Sequence, residues 1–96
     1  MRVKLIMAAR HDLAGIAKWI AKDSPDRALK LVSDIQRACR DLGDFPEAYP
    51  VVLERSGFRV RRRVHGNYLI FYHILAKHVE VLYVIHAARD WEIVFD

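Results

Sequence analysis

Three runs decide how this chain folds: Phe58-Arg-Val-Arg-Arg-Arg-Val64, Gly66-Asn-Tyr-Leu-Ile-Phe-Tyr-His-Ile74 and Val79-Glu-Val-Leu-Tyr-Val-Ile-His-Ala-Ala-Arg-Asp90. Each is rich in β-branched and aromatic residues. Gly66-Asn67 turns the first corner and Ala76-Lys77-His78 the second, and neither leaves room for another element. The reading is a three-stranded antiparallel meander. In its first strand, alternation sends Arg59, Arg61 and Arg63 to one face and Phe58, Val60 and Val64 to the other. Arg62 falls on the apolar side, which requires either room to snorkel or a bulge that resets the register. The middle strand is apolar or aromatic on both faces. Tyr68, Ile70, Tyr72 and Ile74 point one way, and Leu69, Phe71, His73 and Leu75 the other. Such a strand expects cover on both sides.

Upstream, Arg2 to Met7 alternates and predicts a strand. The period then changes: Leu13, Ile16, Ala17 and Ile20 predict an amphipathic helix over residues 9–22, with Asp12 and Lys22 placed to suit its dipole. Ser24-Pro25 starts a second helix, serine as the cap and proline at the first helical position. Ala28, Leu31, Val32, Ile35, Cys39 and Leu42 mark its apolar face, and Gly43 is the expected stop. With so short a link the helices form an antiparallel hairpin. Residues 44–57 contain Pro46, Pro50 and Gly57 and read as a loop. The sum is one α+β domain over 1–96: an N-terminal strand, a helical hairpin and the meander, in a mainly antiparallel four-stranded sheet. Two helices cover one face. The second is closed either by the 44–57 loop and the tail Trp91–Phe95, or by a partner.

At 96 residues, 53% hydrophobic and 29% charged, this is a folded domain and not a disordered chain. Apolar runs such as Tyr68–Tyr72 are far too short to span a membrane. Cys39 is the only cysteine, so no internal disulfide forms, which agrees with a cytoplasmic protein. Residues 55–63 hold five arginines and no acid, so the rest of a chain of net charge +4 sums to −1. That patch fits an acidic partner, protein or nucleic acid, or protects an edge. Histidine and cysteine spacing matches no metal site, and there is no phosphate loop, so neither metal nor cofactor is expected. Cys39 reads as a small core residue. Arg59, His86 and Arg89 could form an RNA-cleaving set, with histidine moving protons and arginine holding the phosphorane. The plainer alternative pairs Asp90 with an arginine and leaves His86 at a strand end.

A family resemblance joins these features. Arg10-His11-Asp12-Leu13-Ala14-Gly15-Ile16-Ala17-Lys18-Trp19-Ile20, Ser24-Pro25-Asp26-Arg27-Ala28, Leu42-Gly43-Asp44-Phe45-Pro46, Phe58-Arg59-Val60, Tyr68-Leu69-Ile70-Phe71-Tyr72 and Val84-Ile85-His86-Ala87-Ala88-Arg89-Asp90 stand in this order. Together they resemble the RelE/ParE superfamily of bacterial toxins from type II toxin–antitoxin modules, which also serve plasmid stabilisation. The resemblance implies one of two activities. RelE-like members are ribosome-dependent mRNA endonucleases; ParE-like members act on DNA gyrase and are not enzymes. The chain is more similar to ParE. No lysine lies between Lys30 and Lys77 and no tyrosine follows Tyr83, while the Ser-Pro-x-x-Ala start and the His-x-x-Arg-Asp ending are ParE-like. A minority of nucleases use glutamate, arginine and histidine, which here would be Glu54, Arg59 and His86 with Arg89. A third possibility is an inactive interaction module of the same fold. The implied partner is a small ParD-like antitoxin whose helix and strand wrap the toxin. Contacts with antitoxin or target are expected at Trp19, Arg59, Arg61, Arg63, Tyr72, His86, Arg89 and Asp90, with direct nucleic-acid binding left open.

Overall fold

Alternating Val3 and Leu5 against Arg2 and Lys4 produce a short strand, β1 (Arg2–Leu5), as the sequence predicts. The computed structural model describes residues 1–95. After β1 come α1 (Met7–Ala21), α2 (Pro25–Asp41), β2 (Val51–Arg55), β3 (Phe58–His65), β4 (Tyr68–Ile74), β5 (His78–His86) and a 3-10 turn over Trp91–Phe95. The sheet has five strands in the order β1-β5-β4-β3-β2. Only β1 and β5 pair in parallel; every other neighbour is antiparallel. The α+β reading holds, with one strand more than expected.

The extra strand is β2, in a stretch read as loop because Pro50 precedes it and its apolar residues do not alternate. A bulge explains the missing period: the register slips between Val51 and Leu53. Ser56 and Gly57 both have positive φ, 51° and 80°, in a two-residue connection whose twist matches the strands it joins. That Ser-Gly turn was the available signal.

The Ser24 side chain accepts the Arg27 amide at 3.2 Å, the cap that the Ser-Pro start requires. Gly43 does not end α2 through a left-handed conformation. It is needed because Met1 lies against it: a Cβ there would clash with the Met1 carbonyl, and the Met1 amine donates to Gly43 O at 2.7 Å. Asp12 also departs from expectation. Helix α1 starts at Met7, so Asp12 sits in its second turn, and its carboxylate accepts the Val84 amide at 2.9 Å.

Both faces of β4 are covered from within the chain. Ile70 and Tyr72 pack under the helices with Ile35, Cys39 and Leu42. Leu69 and Phe71 pack on the opposite face with Val60 and Ile85, beneath Trp91, Val94 and Phe95. The tail is held by aromatic contacts: Trp91 lies 5.1 Å and Phe95 5.3 Å from Phe71, centroid to centroid. The second face is therefore closed by the tail, with Val52 and Leu53 of β2 at its margin. Arg62 keeps its place on this face without a bulge in β3, its guanidinium 5.9 Å from the Trp91 ring and its Nε buried without a partner.

Candidate functional site

The strand order creates a cleft at one end of β5. The last rung between β1 and β5 is Ile6 N–H to Val81 O at 3.1 Å, after which the chain turns into α1. Beyond Val81, β5 has no strand beside it on that flank, and α1 crosses there instead. Asp12 takes the Val84 N–H that the sheet leaves open. Burial pushes the Asp12 carboxyl above its ordinary range, and the Val84 bond and the charges of Arg89 and His11 offset part of that rise.

The resulting cleft, about 420 Å³, lies between one ridge of α1 and the end of the sheet. His11, Gly15 and Trp19 recur every four residues and form the ridge; Tyr68, His86 and Arg89 face them. Trp19 is 71% exposed, with the Lys22 ammonium 5.0 Å from its ring. His86 is exposed, its ring edge-on to Tyr68 at 5.3 Å. Its Nδ1 accepts the Ala88 amide at 3.1 Å, so the neutral ring carries its proton on Nε2. Three residues singled out in the sequence, Trp19, His86 and Arg89, thus come together. His11, Asp12 and Tyr68 join them; the eight-residue spacing of His11 and Trp19, two four-residue steps along one helix ridge, was the legible sign of the first.

The remaining expected site residues lie elsewhere. The Asp90 carboxylate accepts the Glu92 amide at 3.3 Å and caps the 3-10 turn. Glu54 and Arg59 form an exposed ion pair, 3.9 Å apart, at the opposite end of the sheet. His86 is level with Tyr68, whereas Arg59 lies two residues past Arg61, which is level with Tyr72. At roughly 3.3 Å per residue, about 20 Å along β4 separates the two, beyond the reach of both side chains. The set Glu54, Arg59, His86 and Arg89 is therefore not one constellation in this fold. Arg61 donates to Tyr49 O at 2.7 Å and Glu47 O at 3.1 Å, and Arg63 to Ala38 O at 2.8 Å. Both serve the chain's own carbonyls. Tyr72, expected at a contact surface, is fully buried; its hydroxyl donates to Pro46 O at 2.6 Å, and burial pushes its pKa up. A position at the centre of a sheet under two helices explains that correction.

Elsewhere, Glu80 accepts from His73 at 2.9 Å and His78 at 3.3 Å, and these bonds hold its carboxyl below the ordinary range. Burial pushes the Cys39 thiol up to about 11, so it is no nucleophile at neutral pH. Among the described residues, no three His, Cys, Asp or Glu side chains are grouped to hold a metal ion, and no helix is long and apolar enough to cross a membrane.

The family model "ParE toxin of type II toxin-antitoxin system, parDE" matches residues 3–91. A chain of the chromosomal ParDE TA system from P. aeruginosa is similar in fold. It has TM-score 0.71 and 22% identity, covering 90% of this chain and 95% of that one. A chain of the RelBE2 toxin–antitoxin complex from Mycobacterium tuberculosis has TM-score 0.60 and 26% identity, covering 92% of each. No curated protein sequence matches significantly.

Proposed function

The chain belongs to the ParE toxin family of type II toxin–antitoxin systems, and from that premise we propose that it arrests growth by binding DNA gyrase, not by cutting RNA. The observation that carries this reading is the separation of Arg59 from His86 by the length of β4. Cleavage next to a 2′-hydroxyl needs proton transfer and phosphorane stabilisation at one phosphate. Groups at opposite ends of a strand cannot meet there. Two further features support it. The lone pair that His86 would use as a base on Nδ1 is engaged by Ala88 N–H. The sheet face under the tail is filled with Leu69, Phe71 and Ile85, an apolar lining, and Arg62 there lies against the Trp91 ring.

The same reading gives the chain an antitoxin, since the two similar structures described above come from toxin–antitoxin systems. The cleft of Trp19, His86 and Arg89 is its anchoring point: an exposed tryptophan beside cations suits an acidic partner with an apolar side chain to bury. A gyrase inhibitor of this kind works in the cytoplasm. The test is expression in bacterial cells without the antitoxin, following DNA breaks and translation in parallel. DNA breaks and filamentation with translation intact are expected. Immediate translation arrest would instead mark a ribosome-dependent nuclease, and unaffected growth an inactive interaction module.

A further inference from the structure

We propose that a split in the sheet between β3 and β4 is a binding site for the carboxylate end of an extended peptide whose last side chain is apolar. The β3–β4 ladder runs from His65 and Tyr68 to Arg61 and Tyr72 and stops there. Both strands continue past that rung. Phe58 and Arg59 stay paired with β2, and His73 and Ile74 stay paired with β5. The gap is thus an opening inside the sheet, not the frayed end of a hairpin. Its cause lies in the flanking pairs. The β2–β3 register slips between Val51 and Leu53, and the β4–β5 register between Phe71 and Tyr72, both level with the last rung. A bulge on each side adds twist and turns the two ribbons apart.

The backbone inside the split is left open. Arg62 N–H bonds to Pro50 O, so Arg62 faces β2 and, by alternation, Arg59 and Arg61 face β4. Leu75 N–H bonds to His78 O, which turns Ile74 toward β3. Arg59 and Ile74 therefore face each other, but the rung that would join them is not formed. Ile74 N–H is a donor, and Arg59 C=O an acceptor, for the backbone of a guest.

The cleft in the split measures about 320 Å³, at the lower end for ligand sites. Phe58, Arg59 and Arg61 stand on one wall, and His73, Ile74 and Leu75 on the other. The Arg61–Tyr72 rung closes its inner end, so a strand cannot run through it and only a chain end can enter. Two arginines against one acid, Glu47, select a carboxylate over an amine. Arg59 is the guanidinium that can turn to it. Its contact with Glu54 is 3.9 Å long and more than half exposed, and such pairs hold weakly. Arg61 keeps its carbonyl bonds and adds only its field. The Phe58 ring, 46% exposed, lies 4.6 Å from that of His73, which Glu80 holds at 2.9 Å. That fixed aromatic ledge suits an apolar last side chain. A lone exposed phenylalanine is ordinary, but it does not account for a missing rung beside it in a cationic cleft closed at one end. The inference rests on neither the gyrase nor the antitoxin reading.

The probes are synthetic peptides added to the isotope-labelled full chain: acetylated glycyl-glycyl-valyl-phenylalanine as the free acid, the same peptide as its amide, and the reversed sequence with a free amine and an amidated end. The free acid should shift the Arg59, Ile74 and Leu75 amide resonances and slow hydrogen exchange at Ile74. It should bind at least about tenfold more tightly than either control. Arg59→Ala and Phe58→Ala, both at exposed positions, should each weaken it about fivefold or more, with the amide spectrum elsewhere unchanged. No binding by the free acid, equal binding by either control, shifts that map to the Trp19 and His86 cleft, or unchanged binding by folded Arg59→Ala would each overturn the proposal. The comparison of acid with amide on the native chain decides the matter even where a variant fails to fold.

Discussion

Replacing His86 by alanine separates binding from catalysis, because the structure shows how little the fold stands to lose. The side chain is exposed, and its Nδ1 accepts one amide, from Ala88, at 3.1 Å. Water can replace that bond, so its loss costs about 0.5 kcal/mol. The edge-on contact with Tyr68 at 5.3 Å is worth about 0.5–1 kcal/mol more. A total near 1–1.5 kcal/mol lowers the melting temperature of so small a domain by roughly 5–10 °C, and the variant stays folded at growth temperature. A toxin that acts by binding needs no proton transfer, so His86→Ala should keep most of its growth arrest and of its inhibition of purified gyrase. A nuclease relying on His86 would lose about 100-fold or more in rate, some 2.7 kcal/mol of barrier. The assay runs both proteins side by side for gyrase supercoiling and for mRNA cleavage on ribosomes, with circular dichroism confirming the fold. Cleavage by the native chain that falls at least about 100-fold in the folded variant would refute the reasoning.

Trp19→Ala removes a side chain that is 71% exposed, so stability should change by no more than about 0.5 kcal/mol. The complex with the antitoxin should weaken by about 2 kcal/mol or more, measured by calorimetric titration; a loss of stability exceeding the loss of affinity would make Trp19 a core residue. Trp91→Ala strips cover from Phe71 and the ring beside Arg62. Urea unfolding should show a loss of about 2–3 kcal/mol, less than for a fully buried tryptophan, with a dye for exposed apolar surface binding more strongly; neither change would mean the tail contributes nothing. Burial raises the Asp12 carboxyl, so the folded state holds that proton more tightly than the unfolded chain. Stability from this group is greatest at low pH and declines as pH rises above about 4. Asp12→Asn keeps an acceptor for the Val84 amide and should lose less stability than the native chain as pH rises from about 4 toward neutral. A steeper decline in the variant would show that Asp12 is needed as an anion.

The fold was legible where local chemistry and tertiary packing agree. The Ser24-Pro25 start, the helical hairpin, the three meander strands and the two-faced character of β4 all follow from period and capping. Strand β2 was not legible, because the bulge at Val51–Leu53 breaks the alternation that identifies a strand. Gly43 illustrates a different limit. A glycine after a helix reads as a left-handed cap, but here its absent side chain makes room for Met1, which is distant in the sequence. The cleft was legible in part. Trp19, His86 and Arg89 drew attention by residue type, whereas Asp12 became informative only once Val84 was seen to lack a strand partner.

Charge is where sequence and fold differ most, and the difference bears on function. The arginines of β3 read as one solvent-facing patch, because adjacent cations along a strand look like a surface. In the fold, Arg61 and Arg63 satisfy carbonyls of the segment before β2 and of α2, and Arg62 lies under Trp91. Each is thereby partly withdrawn from solvent, and a guanidinium already donating to a carbonyl must give up that bond to bind a phosphate or carboxylate. Arg59 keeps an exposed side chain but stands beside Glu54. The cations left along an apolar groove are Arg2, Lys4, Arg40 and Lys77, which no window of the sequence brings together; Arg10, also at the groove, donates to the Leu5 carbonyl. A strand whose arginines bind its own backbone is a poor phosphate track, whereas lone cations beside an apolar groove suit a protein segment that is acidic on one side and apolar on the other. That distribution fits a toxin that acts and is neutralised through protein contacts better than one that grips RNA.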